Sequence, residues 1–98
     1  MDEHDWESYA PLMILMRLRQ TIAHAVYRHR TAAGLSRRAL AERCGISLDT
    51  VQRVEADDDD PRARAPSVSV LERLAGGLGV PVAALVSDLD GVPSIVHK

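Results

Sequence analysis

The sequence predicts an all-α fold of five helices around one small core, with the first helix the longest. Three observations carry this. Apolar residues recur at spacings of three, four or seven, as at Leu15, Leu18, Ile22, Val26 and Ala33. Serines stand ahead of the apolar-patterned runs (Ser36, Ser47, Ser67), and glycines follow them (Gly34, Gly45, Gly79). The β-prone run Ser94-Ile95-Val96 lies near the C-terminus, outside the helical pattern. The chain has 98 residues, enough for one domain. Apolar residues make up 46% of it, but Ala, Val and Leu dominate and Phe is absent. Such small side chains suit thin, closely packed helices rather than a ligand cavity.

Residues 1–11 form an acidic segment, with Asp2, Glu3, Asp5 and Glu7 around Trp6 and Tyr9. This reads either as a frayed tail or as an aromatic anchor on the protein's own core or on a partner. Pro11 fits a first helical position, so the long helix is expected from Leu12. Its early turns, Leu12 to Leu18, hold more apolar residues than one face needs, which suggests contact with another chain. Ala32-Ala33-Gly34-Leu35 ends it. The second helix has apolar Ala39, Leu40 and Cys44, and Gly45 stops it. Ile46 plugs the turn and Ser47 caps the third helix. That helix buries Val51 and Val54, and carries Leu48, Asp49, Gln52 and Arg53 on its other face. Ala56 to Pro66 has four aspartates, two prolines and no large apolar residue, and reads as a loop. Ser67, or a capping box from Ser69 to Glu72, starts a fourth helix with Val70, Leu71, Leu74 and Leu78 inward. Gly76-Gly77 weakens its last turn. Pro81 starts a short fifth helix that turns Val82, Leu85 and Val86 inward. The domain is thus expected over residues 12–87, with a tail at 88–98.

Two short helices joined by a tight turn over residues 36–55 have the shape of a helix-turn-helix. The stretch GLSRRALAERCGISLDTVQRVE resembles the Cro/XRE-type family, the lambda-repressor-like DNA-binding domains of phage repressors and bacterial regulators. The resemblance rests on Gly34, Leu35, Ser36, Leu40, Ala41, Gly45, Ile46, Ser47, Thr50, Val54 and Glu55. It continues through Pro66-Ser67, Leu71, Leu74-Ala75, Leu78-Gly79-Val80 and Leu85.

The resemblance implies that the helix over residues 47–56 lies in the major groove of duplex DNA. Ser47, Leu48, Asp49, Gln52 and Arg53 then take base-contacting positions. Gln suits adenine, Arg suits guanine, Asp accepts from cytosine N4 and Leu touches a thymine methyl. Arg37 takes a phosphate-contacting position, with Arg38 beside it, and Arg62 and Arg64 reach phosphates from the loop. Arg30 and Glu55 match a pair that family members hold as an ion pair between the first and third helices. The family usually acts as a dimer on two half-sites, which implies a homodimer and a role in transcriptional regulation, most simply repression. An alternative is a protein-binding module, such as an antitoxin or adaptor, that uses the segment from Trp6 to Leu18 and the acidic surface on a partner protein.

Net charge is −2, unusual for a nucleic-acid binder, but its distribution matters more. Residues 8–56 hold eight arginines against Glu42, Asp49 and Glu55, a balance of +5. Every basic residue there is Arg, which forks onto phosphate. The single cysteine, Cys44, forms no internal disulfide. No cofactor or metal is expected: His24 and His29 are five apart and do not share a face, and the aspartate loop lacks the Gly and distal Glu of a calcium loop. No nucleophile stands beside an oriented base, so an enzyme is not expected. No apolar run is long enough for a membrane span, and a cytoplasmic setting is expected.

Overall fold

The structure is a computed structural model, and it describes the backbone of residues 3–87 and the side chains of residues 14–87. The side chains of Trp6 and Tyr9, and the tail with its β-prone run, lie outside the described residues. Among the described residues, five α-helices follow one another: α1 (Glu3–Ala32), α2 (Arg37–Cys44), α3 (Leu48–Glu55), α4 (Val68–Leu78) and α5 (Val82–Val86). The described residues contain no strand.

Local chemistry sets the helix ends. Ser36 Oγ accepts from the Ala39 N–H at 3.0 Å, Ser47 Oγ from Thr50 at 3.0 Å, and Ser67 Oγ from Val70 at 3.2 Å. Each satisfies a donor that the first helical turn leaves unpaired. Ser67 is therefore the cap of α4, and the capping box from Ser69 is not used. Gly45 closes α2 in the left-handed region at φ 68°, and its N–H returns to the carbonyls of Ala41 and Glu42.

The core gathers one stripe from every helix. Ile22, Ala25 and Val26 come from α1, Leu40, Ala41 and Cys44 from α2, and Val51 and Val54 from α3. Leu74 and Ala75 come from α4, and Leu85 from α5. α1 packs against α3 and α5, while α2 packs against α3 and α4. A Cβ on Gly77 would collide with Cys44 Sγ, so the α2–α4 contact needs this glycine. Burial among these helices pushes the Cys44 thiol above its ordinary pKa.

α1 departs from the sequence expectation in where it starts. It begins at Glu3 rather than at Pro11, and its backbone runs on through the proline. Pro11 forfeits one i→i−4 hydrogen bond there, and the turns on either side carry the helix. Leu15 and Leu18, in the turns whose apolar surplus suggested contact with another chain, are 63% and 41% exposed. The reason is length. α1 spans 30 residues, roughly 45 Å, whereas the partner helices have only 5 to 11 residues. The bundle covers only the C-terminal half of α1. Val86, expected inside, stands exposed at the end of α5.

Candidate nucleic-acid interface

α3 has two faces, set by its 3.6-residue period. Val51, Val54 and Glu55 point inward and are buried. Asp49 and Arg53, four residues apart, point away from the core, and Gln52 flanks them half-buried. The five residues expected to contact bases do not all share this outward face. Leu48 is half-buried and packs on the core. Ser47 is exposed, but its hydroxyl is engaged in the cap and lies 2.8 Å from Thr50 Oγ1. Asp49 and Arg53 are bonded to each other, Arg53 Nε donating to Asp49 Oδ2 at 2.6 Å.

A buried ion pair fixes α3 on its scaffold. Arg30 of α1 donates through Nε to Glu55 Oε2 at 2.7 Å and through Nη2 to Oε1 at 3.0 Å. Arg30 Nη1 donates to the Leu35 carbonyl at 2.9 Å, tying the end of α1 to the turn before α2. The Glu55 side chain is 1% exposed and that of Arg30 10%. The Glu55 hydrogen bonds raise the Arg30 pKa above its ordinary value, against burial, which lowers it. The guanidinium also lies 5.4 Å from the centre of the Tyr27 ring.

Arg37, expected at a phosphate, also joins this site. Its Nε donates to Glu55 Oε1 at 3.0 Å, while its side chain stays 47% exposed. Glu55 thus joins α1, α2 and α3. Arg38, beside it, is exposed. Arg37, Gln52 and Arg62 line one open cleft of about 470 Å3, with His24, Tyr27 and Asp60.

The acidic loop is tied to the body, while Asp57, Asp58 and Asp59 stay exposed. Asp58 pairs with Arg19 of α1. Asp60 Oδ1 accepts from the Arg62 N–H at 2.8 Å, which holds its carboxyl below the usual range. Arg64 Nη1 donates to the carbonyls of Pro61 and Ala63, and the Arg64 N–H donates to the Arg53 carbonyl at 3.2 Å. Both loop arginines expected at phosphates therefore hold the loop's own shape. Sequence reasoning missed three contacts: Arg19–Asp58, Arg37–Glu55, and Arg73 of α4, whose Nη1 reaches the Gly45 carbonyl at 3.4 Å. None of these has a local signal. The Asp49–Arg53 pair had one, its spacing of four.

Two capped helices joined at Gly45, the second braced from behind and polar in front, define a helix-turn-helix domain. A family model described as a helix-turn-helix domain matches residues 22–89, and the chain belongs to the Cro/XRE-type helix-turn-helix family of DNA-binding proteins. Among solved structures, the chain is similar to a protein described as hypothetical transcription factor NHTF from Neisseria. The two are 28% identical, with a TM-score of 0.63 over 71% of this chain and 75% of that one. No curated protein matches the chain. Among the described residues, no helix is long and apolar enough to cross a membrane.

Proposed function

We propose that the protein is a transcriptional regulator that places α3 in the major groove of duplex DNA and acts as a repressor, by occupying its site. The outward face of α3, with Gln52 and Arg53 beside the exposed start of α2, is the observation that carries this reading. Gln52 offers the bidentate pattern for adenine and Arg53 that for guanine. Arg37 and Arg38, at the first turn of α2, supply phosphate contacts. The similarity to the Neisseria protein, described as a hypothetical transcription factor, supports the same assignment.

The working form is a homodimer joined through the N-terminal half of α1. Ile14, Leu15, Met16 and Leu18 are all exposed there, beyond the reach of the bundle. A two-fold contact would hold two α3 helices at a fixed separation, as reading two half-sites requires. The same apolar stretch also favours a second reading, capture of a different protein through Trp6 to Leu18.

Sedimentation and DNA titration of the full chain, beside a chain that starts at Arg17, test the assignment. The full chain is expected to dimerise and to bind duplex DNA with log K falling at roughly −3 to −4 per protomer against log salt. The shorter chain is expected to be monomeric and to bind more weakly with its groove residues intact. A monomeric full chain overturns the dimer, and salt-independent binding overturns the charge argument.

A further inference from the structure

We propose that Asp49 positions Arg53, and that the two act as one guanine-reading unit in which Asp49 touches no base. This rests on the groove reading above and deepens it. Two anchors hold Arg53. Its carbonyl accepts the Arg64 N–H at 3.2 Å, so the loop fixes its backbone. Its Nε donates to Asp49 Oδ2 at 2.6 Å, so the preceding turn of α3 fixes its side chain. The two side chains are 39% and 56% exposed, on the face turned away from Val51 and Val54.

The chemistry follows from which atom is engaged. Asp49 takes Nε, and the Nη1–Nη2 edge keeps the two parallel donors that match guanine O6 and N7. An unanchored Arg loses much rotamer freedom when it binds a base, and an anchored one loses less. Asp49 also offsets the positive charge of Arg53, which lowers attraction to phosphates of any sequence. The pair therefore favours discrimination over raw affinity. Asp49 Oδ2 accepts from Arg53 Nε, which holds the carboxylate against the guanidinium.

The test uses the full chain. A preferred duplex is selected from a random library. Its single-base variants and a random duplex are then titrated by fluorescence anisotropy with the wild type, Asp49→Ala and Arg53→Ala. The wild type is expected to prefer guanine at one position per half-site by roughly five- to hundredfold. Arg53→Ala should abolish that preference. Asp49→Ala should cut it several-fold while binding the random duplex as well as the wild type or better, a split that a loss of folding would not produce. The proposal is overturned if the guanine preference survives Asp49→Ala, if a cytosine preference at another position disappears instead, or if all duplexes weaken in parallel. A library that returns no preferred sequence removes the groove reading as well, and so separates the two failures.

Discussion

α3 carries two sets of ion pairs that use the same chemical groups in opposite surroundings. Near its end, Glu55 is buried between Arg30 and Arg37. Near its start, Asp49 and Arg53 pair in solvent. Water screens the exposed pair, so it contributes little stability, about 0.3–0.5 kcal/mol for such a spacing. The buried carboxylate has lost its water, and its arginines must replace it. Removing one side leaves an uncompensated charge in the interior. The buried set therefore fixes where α3 sits, and the exposed pair is free to serve what α3 touches.

The largest expected effect separates the two directly. Glu55→Gln keeps the shape but strands the Arg30 cation, and the unfolding free energy measured in urea should fall by about 3 kcal/mol. Asp49→Asn should change it by less than about 0.5 kcal/mol. Equal losses would erase the distinction between the two sets.

A second contrast applies the same question of depth to two neighbouring glycines in α4. Gly77→Ala drives a methyl into Cys44 and should cost about 1–3 kcal/mol. At Gly76 an added Cβ meets nothing within 4 Å, so Gly76→Ala should stabilise the helix by up to about 1 kcal/mol. Melting temperatures that move the same way for both variants would mean that the α2–α4 contact yields.

The smallest effect concerns Asp60, a partly exposed acid held by Arg62. Its folded pKa lies below the ordinary value, chiefly because the Arg62 backbone N–H bonds its carboxylate. The stability it contributes is therefore present above the ordinary carboxylate range and is lost as pH falls through the lowered folded value. Asp60→Asn should differ from the wild type at neutral pH and converge with it as the pH falls below the ordinary carboxylate range. A gap that persists unchanged in acid would show that the carboxylate has no part in shaping the loop.

Much of the fold was legible in the sequence because it is encoded locally. Ser36, Ser47 and Ser67 cap helices through their own next turn, and Gly45 ends one by its own φ, so each signal lies within four residues of its effect. The candidate site was legible mainly by residue type. Asp49 and Arg53 were visible as polar residues four apart on α3, a spacing that permits their bond without requiring it. Arg37 was visible as a cation at the start of a helix, but not its contact with a carboxylate 18 residues away.

The sequence by itself determined the starts and stops of α2 and α3, the helix-turn-helix span and the inward stripe of α3, because capping and periodicity act within one turn. Only the tertiary structure decided that Leu15 and Leu18 stay outside, that Leu48 packs inward, that Gly77 must lack a side chain, and that Glu55 holds two arginines. Those outcomes depend on which surface stands opposite each residue, and that is set by how far the neighbouring helices reach and how closely they pack.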